Sequence, residues 1–325
     1  MKEDRNYAFD NLKGFLIILV VVGHAVQCTY RSTDMNVWLN PVFNIIYTFH
    51  MPLFIFVSGF FFKSSLKRDG VEVLRGKFNR LILPTVIYSV VIILLYVLIT
   101  NDTHPRLKFI FLTICTYWYL ICVFTLTLIY WFFFKGSRKI KCAMVVVYLL
   151  SLLFYDYLPP YILKNCQIIR QTFIFGFGAY LSIYCSEKVN NITYNARWLG
   201  IVLILTIGAS LIRVFYGFNM MCFPPIIRIT DGFVCSMLVF NLVYPLLRVV
   251  SNKSILRWLA YIGRNSLAIY LVHVVFSKVC LFLGIHIEYT LSNVFLLSLF
   301  WLLFSLMYIL VVKWAFKEKS YILGV

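Results

Sequence analysis

Ten runs of apolar residues, each long enough to cross a bilayer, follow one another along the chain, and no other feature constrains its fold as tightly. They read at about 12–30, 41–62, 81–100, 109–134, 142–160, 168–185, 198–216, 223–247, 259–280 and 291–316. A spanning helix needs about 20 mostly apolar residues. Within hydrocarbon every backbone N–H and C=O must be satisfied internally, so runs of this length are predicted to be helices. Only 13% of the 325 residues are charged, against about 25% in a soluble domain. With 62% hydrophobic residues and a mean hydropathy of +0.88, a water-soluble domain, a disordered chain and a coiled coil are all excluded. The polar segments between runs are far shorter than the roughly 50 residues of an independent domain. The expectation is therefore an all-α, polytopic membrane bundle of about ten helices, filling residues 1–325 as one domain with no appended soluble unit. No small-residue cleavage site accompanies the first run, so it is expected to stay as a span.

The net charge of +18 does not point to nucleic acid, because the basic residues lie in short clusters between the apolar runs. Basic residues are retained on the cytoplasmic side. With the N-terminus inside, 22 of the 30 Lys and Arg residues fall in inner segments and eight in outer ones. This predicts both termini in the cytoplasm and a multi-pass protein of the cell (inner or plasma) membrane. Nine scattered cysteines form no C-x-x-C pair and no His/Cys cluster at metal spacing, so they read as packing residues and no metal is expected.

Ionisable residues inside a span are costly and mark candidate sites. The first span carries Asp10-Asn11-Leu12-Lys13-Gly14, then Gly23-His24. Lys13 and His24 are eleven residues apart, about three turns, which sets them on one helix face roughly 16 Å apart. Asp10 and Lys13, at i and i+3, can pair. The bland alternative makes Lys13 an interfacial anchor and His24 a packing residue. In the second span, Pro52 is expected in a first helical turn, holding His50 at the outer entry, while Ser58-Gly59 either lines a channel or lets two helices approach. Arg228 and Asp231, again at i and i+3, are expected to pair near the outer side, with Arg213 close in topology. These three either face one acceptor cavity or serve as an interfacial pair and a snorkelling arginine. Asn265 and Ser266 are candidate caps for the ninth helix, beside Arg264, and His273 would lie two turns further in, packed or lining a cavity.

Several of these segments together resemble a known family. RNYAFDNLKGFLIILVVVGHA followed by FHMPLFIFVSGFFF is similar to the N-terminal signature of the membrane acyltransferase-3 family, in the branch that includes fucose 4-O-acetylase-like enzymes. KFNRLILP, Trp118-Tyr119-Leu120, FIFGFGAYLS and IGRNSLAIYLVH resemble further elements of that family in the same order.

The resemblance implies transfer of an acetyl or other short acyl group from cytoplasmic acyl-CoA, a donor substrate and not a bound cofactor, to a sugar hydroxyl of a cell-surface or lipid-linked glycan. It implies His24 as general base, Asp10 as the second catalytic residue forming a cytoplasmic gate with Lys13, and Lys13, Arg80, Ser58 and Arg264 along the donor path. His50, Arg213, Arg228, Asp231 and His273 would meet the acceptor. Lys13 stands where relatives often have Arg; an ammonium is a point charge without the planar fork of a guanidinium. Partners would be the lipid bilayer and proteins of polysaccharide biosynthesis. Transfer could be direct or pass through acyl-His24. The rival readings are a transporter or flippase, which would use paired broken helices, and a non-catalytic partner of a polysaccharide synthase.

Overall fold

The computed structural model describes residues 7–30, 36–158, 167–190, 200, 204, 225–250 and 254–325. All regular structure among them is helical. We label the helices α1 (Tyr7–Tyr30), α2 (Pro41–Phe60), α3 (Lys63–Leu66), α4 (Gly70–Lys77), α5 (Leu83–Thr100), α6 (Leu107–Cys115), α7 (Trp118–Lys135) and α8 (Arg138–Leu153). The second half adds α9 (Ile168–Tyr184), α10 (Ser186–Asn190), α11 (Pro225–Val250), α12 (Ser254–Arg264), α13 (Ser266–Phe282) and α14 (Leu291–Phe316). Six of the described helical stretches are long and apolar enough to cross a membrane, and α12 with α13 forms a seventh, bent by 73°. α8 and α9 are shorter, at 16 and 17 residues. The expected span at 198–216 lies outside the described residues, apart from Gly200 and Ile204.

Local chemistry explains where these helices begin and break. Asn40 caps α2, its side chain accepting from the Phe43 N–H at 2.9 Å, and Pro41 takes the first helical position. That pair starts the helix eleven residues earlier than Pro52, which instead sits inside α2. His50 is therefore a buried mid-helix residue and not at the outer entry, correcting the expectation drawn from Pro52. Proline removes one helical donor. Beside it the Ser236 hydroxyl of α11 donates to the Phe49 carbonyl at 3.1 Å, tying α11 to α2.

The 259–280 run, expected as one helix, breaks at Asn265. This side chain makes no capping bond; its Nδ2 donates to the Tyr261 carbonyl at 2.7 Å, and its Oδ1 accepts from Lys313 Nζ at 2.8 Å. Asn265 thus ties the bend to α14 and does not cap α13 through its side chain.

Helices in lipid gain little from hydrophobicity alone, so close packing and small residues hold them together. α1 lies against α12 where Gly14 meets Leu259 and Gly263 meets Asp10; a Cβ on either glycine would overlap a backbone carbonyl oxygen. α2 and α9 approach reciprocally through Gly59 against Phe175 and Gly178 against Phe56. α1, α2 and α11 share an aromatic core: Phe9 stacks on Phe60 at 4.7 Å and packs on Tyr244 at 4.7 Å, and Phe240 joins Phe56 at 5.0 Å. Large apolar side chains such as Leu98, Leu149, Leu153, Phe295 and Trp314 point outward, as lipid-facing residues do. α1 is enclosed by α2, α11, α12, α13 and α14 and forms the axis of the site.

Candidate functional site: two cavities on either side of a histidine cluster

The larger cavity, about 380 Å³, opens at the end of the bundle where α1 begins. Its lining includes Lys13, Lys77, Arg80 and Arg264 and, among the described residues, no carboxylate. Four cations around one mouth make a field that attracts polyanions. Asp10 is buried and pairs with Lys13, Nζ to Oδ1 at 2.8 Å. The pair is arranged as the i, i+3 spacing predicts, and Lys13 also lies over the Phe61 ring at 5.4 Å. Arg80 is held on a π-helical turn, Phe78–Ile82, between α4 and α5. Such turns insert one extra residue and re-aim side chains, often at functional positions. Ser58 lines the same cavity, where its hydroxyl bonds the Phe54 carbonyl at 2.9 Å and the Tyr119 hydroxyl at 2.9 Å. The structure thus brings Lys13, Ser58, Arg80 and Arg264 together.

Two helical stripes lead inward from this mouth. Lys13, Ile17 and Val20 line the cavity from α1, and His24 continues that face one turn beyond Val20. From α13, Ser266 and Tyr270 line it, and His273 follows one position short of the next turn. The two stripes converge, for the His24 and His273 rings lie 5.2 Å apart. Tyr270 approaches His273 at 5.8 Å. On the other side Tyr47 meets His24 edge-on at 6.4 Å and His50 at 4.6 Å. Three histidines from α1, α2 and α13 are therefore joined into one chain of rings, His50–Tyr47–His24–His273, with Tyr270 at its end.

Hydrogen bonding sets which nitrogen carries the proton. His50 Nδ1 donates to the Ile46 carbonyl at 2.6 Å, and His273 Nδ1 to the Ile269 carbonyl at 2.7 Å. His24 Nδ1 lies 3.1 Å from Gln27 Oε1. A carbonyl oxygen accepts, so in each ring Nδ1 holds the hydrogen and Nε2 presents a lone pair, the form a proton acceptor requires. No group of three His, Cys, Asp or Glu side chains among the described residues can hold a metal ion.

A second cavity, about 80 Å³, lies on the far side of the cluster. Tyr47, Thr48 and Pro52 of α2, Arg170 and Gln171 of α9, and Arg228, Asp231 and Gly232 of α11 line it. Arg228 and Asp231 thus share a wall, while Arg213 lies outside the described residues. His50 and His273 line neither cavity and sit between the two.

The profile of a family described as "Acyltransferase domain" matches residues 6–316. The chain belongs to the acyltransferase-3 family. Among proteins similar to this acyltransferase-3 chain is the nodulation protein NolL of Sinorhizobium fredii, 32% identical over 198 residues, which are 58% of this chain and 52% of that protein. The nodulation protein NolL of Mesorhizobium japonicum is 24% identical over 290 residues, 83% of this chain and 76% of its own length. The chain thus spans about half the length of the first relative and three quarters of the second. No solved structure matches it.

Sequence reading missed Lys77, Gln27, Arg170, Gln171 and the two tyrosines. Lys77 was visible within its basic segment, and Gln27 stands three residues after His24, a spacing that allows a side-chain bond along a helix. Arg170 and Gln171 carried no motif; only the packing of α9 against α2 and α11 makes them part of a cavity.

Proposed function

We propose that this membrane protein is an O-acyltransferase that moves an acetyl or other short acyl group from cytoplasmic acyl-CoA to a sugar hydroxyl of a cell-surface or lipid-linked glycan. The observation that carries the reading is the continuous α1 stripe Lys13, Ile17, Val20, His24, running from a four-cation cavity to a histidine whose Nδ1 is bonded to Gln27. Coenzyme A is a polyanion with its thioester at the end of a long flexible arm. Phosphates held by Lys13, Lys77, Arg80 and Arg264 leave the arm to follow the apolar stripe past Ile17 and Val20 toward His24.

The acceptor hydroxyl enters from the second cavity. His24 Nε2 takes its proton as the oxygen attacks the thioester carbonyl; the carbon–sulfur bond breaks, and the proton passes to the departing thiolate. The Gln27 carbonyl holds Nδ1–H and so keeps the basic nitrogen turned to the substrates. His273, whose buried Nε2 has no hydrogen-bond partner among the described residues, stands beside the imidazolium that forms and shares its proton. Asp10 holds Lys13 at the mouth and does not reach the reacting atoms, since it lies 14 residues, or about 21 Å, from His24. A flippase would favour paired broken helices; among the described residues there is one bent pair.

The test is His24→Ala in cells that carry the protein, with O-acyl groups on surface glycans measured against protein abundance. Loss of a general base lowers the rate by about 10²–10⁴, so acylation should fall to background at normal abundance. Full acylation by the variant sinks the proposal. Incubation with radiolabelled acetyl-CoA and no acceptor should leave no hydroxylamine-sensitive label on the protein; a stoichiometric label would instead establish transfer through acyl-His24.

A further inference from the structure

The second cavity has a composition that acyl transfer alone does not require. Among the described residues its wall sets two guanidiniums, Arg170 and Arg228, against one carboxylate, Asp231. Arg228 is 7% exposed and Gln171 3%, and Arg228 is steadied over the Tyr155 ring at 5.7 Å. A cationic excess at such depth is costly unless an anion offsets it. Arg170 is partly buried, and its Nε is fully so.

Two neighbouring residues at the start of α9 carry orphan atoms of opposite sense. Arg170 Nε–H is a buried donor, and Gln171 Oε1 a buried acceptor; neither has a hydrogen-bond partner among the described residues. A ligand that satisfies both must present an oxygen that accepts and a hydroxyl that donates. The volume of about 80 Å³ exceeds the about 10–15 Å³ that a single water needs, so a phosphate or carboxylate with an adjoining hydroxyl fits. Tyr47 belongs to the same wall and touches both His24 and His50.

The geometry points to an acidic sugar as the acceptor: its phosphate or carboxylate is held by Arg170 and Arg228, and one hydroxyl donates to Gln171 Oε1. A second hydroxyl is then directed past Tyr47 to His24. This inference rests on the acyltransferase reading and adds the charge class of the acceptor. The headgroup of an anionic phospholipid offers the same oxyanion chemistry and is the competing source.

Calorimetric titration of the wild-type protein in phosphatidylcholine nanodiscs with glucose 1-phosphate, glucuronate and glucose tests it. Charge-assisted bonds should make both anionic sugars bind at least about tenfold more tightly than glucose. Arg170→Gln and Arg228→Gln should each abolish that preference while acetyl-CoA binding persists, showing that the variants are folded. Equal affinity for the three sugars, or an unchanged preference in both variants, overturns the inference. In phosphatidylglycerol nanodiscs an unchanged affinity for glucose 1-phosphate supports it; loss of that affinity assigns the cavity to a lipid headgroup and overturns it. Turnover of radiolabelled acetyl-CoA is read separately. Anion preference without any acetyl transfer would refute the acyltransferase reading and leave the anion site standing, whereas transfer without anion preference would refute only the inference.

Discussion

In the proposed reaction His24 works as a base with one nitrogen held protonated, and Gln27 is the group that holds it. Gln27→Leu removes the acceptor for Nδ1–H without adding bulk. A hydrogen bond of this kind contributes about 1 kcal/mol, so kcat should fall roughly five- to tenfold with KM for acetyl-CoA unchanged; a purely structural role would instead reduce protein abundance. Lys13 makes the opposite split. It lies at the mouth, a quarter exposed and paired with Asp10, where screened charge contributes up to about 1 kcal/mol. Lys13→Met should raise KM for acetyl-CoA about fivefold at low salt, with little change in kcat, and Lys13→Arg should restore it. Steady-state kinetics in nanodiscs reads both. Lys13, His24, Ser58 and Arg264 were legible as residues because ionisable or polar groups in apolar runs are conspicuous. Their convergence was not, because ring contacts between α1 and α13 join residues some 250 positions apart. The misreading of His50 has a local cause: Pro52 suggested a helix start, and the stronger signal, Asn40-Pro41, stood eleven residues earlier.

At the scale of elements, apolar length marked where helices lie, and small residues decide which of them touch. Gly59 and Gly178 bring α2 against α9, each glycine's missing side chain being the space the other's backbone occupies. Gly178→Val forces a branched side chain against the Phe56 carbonyl. Overpacking costs roughly 1–3 kcal/mol, so the melting temperature in detergent should drop by several degrees, and the Arg170 and Gln171 wall should lose its sugar binding as α9 moves outward. Gly76→Ala is the control: a Cβ there meets only the Arg68 guanidinium at 4.0 Å, and alanine favours a helix by up to about 1 kcal/mol, so stability should hold or rise. An unchanged melting temperature for Gly178→Val would mean that the α2–α9 contact does not hold the cavity together. The bend at Asn265 was hidden from sequence for a related reason. Nothing in YIGRNSLAIY forbids a continuous helix; the break follows from Asn265 bonding Tyr261 and Lys313, and Lys313 arrives from a helix 48 residues away.

Over the whole molecule, the two cavities face opposite ends of the bundle, and the histidine chain lies between them, so which end meets the cytoplasm decides which cavity can receive a cytoplasmic donor. The cationic cavity shares its end with the basic segments 63–80 and 135–141, since Trp131 of α7 donates to the Arg68 carbonyl at 3.3 Å and Lys13, Lys77 and Arg80 line one mouth. The loop 101–106, which links α5 to α6, lies at the other end. The predominance of Lys and Arg on the first side predicts that it is cytoplasmic. Single cysteines read this directly in a chain whose exposed Cys142 is replaced by Ala. His104→Cys should react with a membrane-impermeant maleimide in intact cells, and Lys139→Cys only after the membrane is opened. The reverse pattern would put the cationic cavity outside, where acyl-CoA is absent, and the donor would have to be something else. With the expected pattern, the acyl group need not be carried through the bilayer on a moving helix. In the proposed reaction the thioester arm would cover the distance from Lys13 to His24 and the acceptor would come from the Arg228 side, so that the transfer itself would be the crossing.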